Sequence, residues 1–222
     1  QPVGLEVAVN LWTQDVTGTL PDLAPPGRPA PAVDTDAIDR AAKLIASARA
    51  PMIVVGGGAQ GDSGLVRQLA ARTGAPVVAF RTGHGVMPSD DPLSIGMPVA
   101  HSLWTDVDLV IGLGTRLQSQ VMSWGHDEDM KIIHIDIDET QIGRSAPVDV
   151  GIHARLADAL PLLISAVEDL ADPNPDWADR TADAKAQRMA QFREKLGPQL
   201  EWLGAIRDAL PRDGIFVDEL TQ

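Results

Sequence analysis

An α/β fold with a doubly wound parallel sheet is predicted by the way short strands alternate with helices. Apolar runs at residues 52–55, 76–80, 109–113, 132–137 and 148–152 have the length of buried strands, and helix-forming stretches occupy residues 64–73 and 155–170. Strands and helices that alternate in this way form parallel sheets with helices on both faces. Glycines, an arginine or carboxylates follow three of the runs, so we expect a ligand crevice at the carboxyl edge of the sheet.

A further helix is predicted before the first strand. Its apolar residues share one helical face, and residues 34–36 (Asp-Thr-Asp) supply oxygens that can cap its first turn. The loop after the second strand, by contrast, is rich in glycine and proline and is expected to be irregular.

Proline-rich breaks predict three parts of the chain: 1–32, 33–171 and 172–222. Five prolines fall between residues 20 and 33, which favours an extended linker, and Asp172-Pro173-Asn174-Pro175 forms a second break. Beyond that break we expect helices at 179–196 and 202–210 and a strand at 214–219. Because the sequence starts with Gln1 and stops soon after that strand, we expect it to be a piece of a longer protein.

Composition narrows the possible functions. The 222 residues carry 31 acidic and 18 basic side chains, a net charge of −13, which disfavours nucleic acids and anionic membranes as partners. The absence of cysteine is typical of a reducing compartment, and we expect the cytoplasm. No apolar run approaches the roughly 20 residues of a membrane span. The five histidines show no ligand spacing, so no metal site is expected.

The first glycine-rich motif, Gly56-Gly57-Gly58-Ala59-Gln60-Gly61, follows a predicted strand and leads into a helix. Backbone amides and the helix dipole at such a position can hold a pyrophosphate. A glycine-rich turn without a ligand has the same sequence pattern. The next residues, Asp62-Ser63-Gly64, resemble a serine protease loop only superficially, and we expect Asp62 or Ser63 to cap the helix.

Two more candidate binding segments follow the second and third strands. Thr82 and Gly83 offer a hydroxyl and a close backbone approach, and Gly114-Thr115-Arg116 places an arginine where it can contact phosphate. A flexible loop and a surface arginine are the alternative interpretations. Trp104 and Trp124 flank the third strand, and residues of this kind are more often in the core than in a ligand site.

A pair of carboxylates ends the fourth strand. Asp136 and Asp138 alternate with isoleucines, so both can address ribose hydroxyls or an adenine amine. Asp138 can also cap the short helix that follows, either as its only role or together with a ligand contact.

Taken in order, these motifs resemble the central domain of thiamine-diphosphate-dependent enzymes of the acetolactate synthase type. The resemblance also includes Pro2-Val3-Gly4-Leu5-Glu6-Val7, the proline linker and Gly96-Met97. It implies a Rossmann-like sheet of six strands in residues 33–171. It further implies that residues 1–32 hold the end of a pyrimidine-binding domain and a linker, and that 172–222 open a diphosphate-binding domain.

The resemblance implies FAD, ADP or no nucleotide in this domain, with thiamine diphosphate and magnesium in the intact enzyme only. The nucleotide contacts that it implies are at Gly57, Gly58, Thr82, Gly83, Gly96, Met97, Gly114, Arg116, Asp136 and Asp138. Two segments depart from the family pattern: Gly96-Met97-Pro98-Val99 lacks the usual Gly-Met-His-Gly, and Ile152-His153-Ala154 replaces a Gly-Asp pair. Catalytic residues are expected in the neighbouring domains, so this piece alone is not expected to be catalytic.

The sequence therefore predicts the central domain of a carboligase or decarboxylase that acts on 2-oxo acids through thiamine diphosphate. Its expected partners are a nucleotide, the neighbouring catalytic domains of the same chain and further copies in a homo-oligomer. Two alternatives stay open: a stand-alone FAD- or NAD-binding module, and a ligand-free scaffold that braces its neighbours.

Overall fold

Six parallel strands form the centre of the protein in a computed structural model that describes residues 4, 6–15, 17–18, 29–170, 172–211 and 214–217. The strands are β1 (Pro51–Val55), β2 (Val77–Ala79), β3 (Ser94–Ile95), β4 (Leu109–Leu113), β5 (Lys131–Asp136) and β6 (Val150–His153). They pair in the order β3-β2-β1-β4-β5-β6, and every neighbouring pair is parallel. The winding reverses between β1 and β4, where doubly wound sheets open a crevice.

Helices cover both faces of this sheet, which confirms the predicted fold class. The helices are α1 (Thr35–Ser47), α2 (Ser63–Thr73), α3 (Met97–Leu103), α4 (Gln118–Trp124), α5 (Leu156–Val167), α6 (Pro175–Leu196) and α7 (Pro198–Ala209). One apolar core lies under α1, α2 and α5, and the other lies under α3, α4 and α6. In the described ranges, no helix is both long enough and apolar enough to pass through a bilayer.

Strand β1 shows why these runs fold as central strands. Ile53 and Val55 point into one core, whereas Met52 and Val54 point into the other, and all four are fully buried. A strand buried on both faces must be apolar at every position, because successive side chains point to opposite faces. The unbroken apolar runs of the sequence reflect this requirement.

Helix α1 has the cap and the apolar face that the sequence predicts. Asp34 accepts a hydrogen bond from the amide of Ala37 at 3.1 Å. Ile38, Ala41 and Ile45 are buried against the sheet. Asp62 occupies the N-cap position of α2, as one of the two predicted residues, but its side chain makes no capping bond, and Ser63 is the first residue of the helix. A short 3-10 helix at Gly57–Asp62 leads directly into α2.

The segment predicted as an irregular loop after β2 contains both β3 and α3. Strand β3 has two residues and α3 has seven, so neither is long enough to show a clear hydrophobic period. The strand predicted at 214–219 is wrong over residues 214–217, which have no strand structure, and residues 218–219 lie outside the described part of the chain. Most of the predicted linker at 20–33 also lies outside it.

Helix α6 begins at Pro175, four residues earlier than predicted, and its first half packs on the sheet. The indole of Trp177 is buried and donates a hydrogen bond to the carbonyl of Pro51 at 2.9 Å. The ammonium of Lys185 donates to the carbonyls of Asp91 and Pro92. Helix α7, in contrast, has no buried residue. The division of the chain at residues 171 and 172 stays a prediction.

Candidate functional site

The loops that follow β1 and β4 meet over the switch point of the sheet. The amide of Gly58 donates to the carbonyl of Gly114 at 3.1 Å, and a Cβ added to Gly58 would lie 2.8 Å from the Cα of Gly114. Gly114 has φ of +55°, and a Cβ there would lie 2.7 Å from Gly58. Only glycines allow two backbones to approach this closely. The loop contact therefore accounts for both glycines.

A cavity of about 690 Å³, which we call the arginine pocket, lies on the β2 side of this contact. Its lining residues are 56–57, 80–82, 114–120 and 122–123. The charged side chains of this lining are Arg81, after β2, and Arg116, after β4; it includes no aspartate or glutamate. Gln120 is also in the lining, and its Oε1 is buried without a hydrogen-bond partner among the described residues.

A second cavity of about 440 Å³, which we call the carboxylate pocket, lies on the β6 side. Its lining residues are 58, 62, 114–116, 136–138, 141 and 154–157. Three carboxylates, from Asp62, Asp136 and Asp138, accompany the guanidinium groups of Arg116 and Arg155. Residues 114–116 line both cavities, and we call them the shared wall.

The shared wall is held in place from β5. His134 is buried, and its Nε2 lies 2.7 Å from the carbonyl oxygen of Thr115. Since a carbonyl only accepts, Nε2 carries the proton. Burial lowers the pKa of His134, and the bond to Thr115 and the nearby Asp136 offset part of this effect. The hydroxyl of Ser145 donates to the next carbonyl, that of Arg116, at 3.0 Å.

The two carboxylates at the end of β5 have different surroundings. Asp136 is buried and accepts a hydrogen bond from the amide of Asp138 at 2.9 Å. Asp138 is exposed and caps the short helix Glu139–Gln141, as one of the two interpretations predicted. Hydrogen bonds from the side chains of Thr140 and Gln141 and from the Thr140 amide lower the pKa of Asp138. Both carboxylates still face the carboxylate pocket.

Seven of the ten residues predicted to contact a nucleotide line these two cavities. Gly57 and Thr82 lie in the arginine pocket, Gly58, Asp136 and Asp138 lie in the carboxylate pocket, and Gly114 and Arg116 lie in both. Whether they bind a nucleotide stays a prediction.

The other three predicted residues lie outside both cavities. Gly83 packs against β1, where an added Cβ would meet the carbonyl of Val55, and Gly96 precedes α3. Met97 is the first residue of α3, and its sulfur lies 3.9 Å from the side-chain nitrogen of Gln120, which lines the arginine pocket.

Sequence reasoning missed Arg81, Gln120 and Arg155 as lining residues. Arg81 and Arg155 each follow a strand, as Arg116 does, so the rule that singled out Arg116 also applies to them. Gln120 belongs to α4, which is too short to be recognised from its sequence. Trp104 and Trp124, as expected, pack against each other in the core region under α4 rather than in either cavity. In the described ranges, no three His, Asp or Glu side chains are grouped as metal ligands.

Fold and crevice together define the class: a doubly wound, Rossmann-like α/β domain with its open cavities at the switch point of the sheet. The model of the family "Thiamine pyrophosphate enzyme, central domain" matches residues 38–163. By this match, the chain belongs to the thiamine pyrophosphate enzyme family, as a central domain.

Curated relatives agree with this assignment. The acetolactate synthase isozyme 1 large subunit of Escherichia coli K12 is 33% identical over 168 residues, which cover 71% of this chain and 29% of the relative. Glyoxylate carboligase of Escherichia coli O157:H7 is 32% identical over 177 residues, with coverage of 74% and 30%. Sulfoacetaldehyde acetyltransferase of Roseovarius nubinhibens is 27% identical over 99% of this chain and 42% of its own length. The chain thus spans less than half the length of these relatives.

Proposed function

We propose that this chain is the central domain of a carboligase or decarboxylase that acts on 2-oxo acids through thiamine diphosphate, and that its crevice binds FAD or ADP. The observation that carries the nucleotide proposal is that two cavities lie side by side and are both lined by the shared wall, residues 114–116. An extended ligand with a phosphate group near Arg116 reaches both cavities at once. The names of the relatives, two synthases or carboligases and one acetyltransferase, support the proposed reaction class.

Two polar groups of the crevice fit a nucleotide. Gly57 is the first residue of the short helix Gly57–Asp62, a position whose amide has no carbonyl partner within the helix and can donate to a phosphate oxygen. The side-chain amide of Gln120 has one buried end without a partner. Because an amide exchanges its donor and acceptor ends by a half-turn, this group can pair with either a donor or an acceptor of the ligand.

We propose that thiamine diphosphate and magnesium are held by neighbouring domains of the intact enzyme, as the family resemblance implies. Exposed apolar residues on α7 and at 214–217, among them Trp202 and Phe216, support such neighbours. We also propose a homo-oligomeric parent enzyme in the cytoplasm, as the sequence suggests.

Nucleotide binding is tested by mass spectrometry of any ligand released on denaturation, followed by calorimetric titration with FAD, ADP and NAD. We expect FAD or ADP to bind, and Arg116→Gln to weaken that binding. Arg67→Gln is the matched control, because Arg67 is exposed on α2 and lies outside both cavities. Equal losses in the two variants would mean that net charge, rather than the crevice, sets the affinity.

A ligand-free brace is the second candidate. The contact between Gly58 and Gly114 favours it, since packing alone explains why both residues are glycine. In that case a folded chain binds none of the three nucleotides, and its ligand-release spectrum is empty. NAD selectivity would instead support a stand-alone dinucleotide-binding module.

A further inference from the structure

The arginine pocket is a basic cavity in an acidic protein. The chain has 31 acidic and 18 basic side chains, yet the lining of this pocket includes two arginines and no carboxylate. The carboxylate pocket, which shares the wall with Arg116, has three carboxylates. An anionic group is therefore favoured on one side of the shared wall and disfavoured on the other.

Arg81 lines this pocket with an uncommon backbone conformation. Among the described residues, Arg81 and Leu117 are the two non-glycine residues with positive φ, at 44° and 54°. Both line the arginine pocket, one after β2 and the other after β4. Strain of this kind concentrates at ligand sites, where the position of a side chain matters more than local stability.

Neither arginine has a charge partner within the described part of the chain. The ion pairs there join Lys131 to Asp149, His153 to Glu139, Arg155 to Asp158 and Arg180 to Asp106. The guanidinium of Arg81 instead lies over the ring of Phe80, with its Cζ 5.4 Å from the ring centroid. Arg81 is exposed, and the planar fork of its N–H donors is free to bind a phosphate.

A dinucleotide with its diphosphate at the shared wall needs only one arginine, because Arg116 alone can contact the diphosphate there. The neutral ring of such a ligand would lie in the arginine pocket and leave Arg81 without an anionic partner. A chain of phosphates that extends into the arginine pocket would pair both guanidinium groups.

We propose that Arg81 is a specificity-determining residue that, together with Arg116, binds the terminal phosphate of a nucleoside di- or triphosphate whose base and ribose lie in the carboxylate pocket. This inference rests on the proposed nucleotide site and adds the ligand class to it. Nucleoside polyphosphates are then preferred to a dinucleotide with a neutral distal ring.

Calorimetric titration of the chain with adenosine, AMP, ADP, ATP and FAD, in EDTA, tests the proposal. We expect ATP to bind about ten- to a hundredfold more tightly than AMP, the range of one charge-assisted hydrogen bond. Arg81→Gln should remove most of this gain and leave the affinity for adenosine within about twofold, since Arg81 lies outside the carboxylate pocket. Arg81→Lys should keep part of the gain, and Arg67→Gln should keep all of it.

The outcomes separate this inference from the one on which it rests. If nucleotides bind but Arg81→Gln leaves the ratio of ATP to AMP affinity unchanged, or if FAD binds more tightly than ATP, the role of Arg81 is refuted and the nucleotide site stands. If the folded chain binds none of the five compounds, both proposals fail. Urea denaturation of each variant shows that lost binding is not lost folding.

Discussion

The two cavities of the crevice share a wall but differ in charge, and the difference separates two kinds of recognition. Guanidinium groups without carboxylates line the arginine pocket, whereas three carboxylates and two guanidinium groups line the carboxylate pocket. Carboxylates can accept hydrogen bonds from hydroxyls and amines, and unpaired arginines attract phosphates. This contrast supports the proposed nucleotide site, in which each cavity holds a different part of the ligand and the shared wall must keep its conformation.

The largest effect is expected from Gly114→Ala, which changes the wall common to both cavities. Alanine at this position must adopt a left-handed backbone conformation, and its Cβ would lie 2.7 Å from Gly58. Together, these two effects should lower the free energy of unfolding by about 2–5 kcal/mol. Binding of base and phosphate should be lost together. Urea denaturation and calorimetry measure the two effects.

Gly64→Ala is the control for this change. Gly64 lies in α2, where an added Cβ meets nothing within 4 Å, so alanine should be neutral or stabilise by up to about 1 kcal/mol. A Gly114→Ala protein as stable as wild type would mean that the two loops separate readily and that the shared wall is not rigid.

A smaller effect is expected from His134→Gln, which changes the support of the shared wall. Removing the imidazole disturbs a buried hydrogen bond to Thr115 and should lower the free energy of unfolding by about 1–3 kcal/mol at neutral pH. Both cavities should lose affinity, because Thr115 lines both.

The same variant should change the dependence of stability on pH. The pKa of His134 is lowered in the folded chain, so the unfolded chain binds the proton first as pH falls below about 6.5. Stability is therefore full above that pH and declines below it until the lowered folded pKa is reached. His134→Gln should remove this part of the decline, whereas His126→Gln, in an exposed loop, should keep it. Identical urea midpoints against pH in wild type and His134→Gln would contradict this account.

Elements buried on both faces could be predicted from the sequence because their physical requirement is local. Strand β4 occupies the predicted residues 109–113, β1 begins one residue before its predicted start, and β5 begins and ends one residue earlier than predicted. The glycines and carboxylates at strand ends were also found, since a parallel sheet brings the carboxyl ends of its strands to one edge. The cap of Asp138 follows from its own neighbours and was among the predicted alternatives.

Features that depend on long-range packing could not be predicted. Strand β3 is defined by its pairing with β2 over two residues, which leaves almost no pattern in the sequence. The start of α6 at Pro175, by contrast, has a local signal that was missed, because Asn174 caps the helix by accepting a hydrogen bond from the amide of Asp176 and Pro175 lies in its first turn. Gly83 packs against Val55, a role that only the fold reveals, and the ligand contact predicted at Gly83 stays a prediction.

A third effect, on binding alone, is expected from salt and distinguishes the two cavities directly. Raising KCl from 0.1 to 1 M shortens the screening length from about 10 to about 3 Å. The affinity for ATP should then fall several-fold more than the affinity for adenosine, because only ATP carries phosphates to the exposed Arg81 and Arg116. Parallel calorimetric titrations of the two ligands measure the difference. Equal salt dependence would mean that the charge contrast between the cavities does not act on the ligand.

The smallest effect is expected from Ser145→Ala, which removes one of two donors that hold successive carbonyls of the shared wall. Ser145 donates to Arg116 at the surface, so its loss should cost only about 0.5–1 kcal/mol of unfolding free energy. Ser47→Ala is a matched control, since Ser47 donates to the carbonyl of Leu44 at the same distance of 3.0 Å but lies on α1. Equal losses of stability, with weaker ATP binding in Ser145→Ala alone, would show that the backbone position of Arg116 contributes to phosphate binding. Unchanged binding in both variants would leave His134 as the support on which the wall depends.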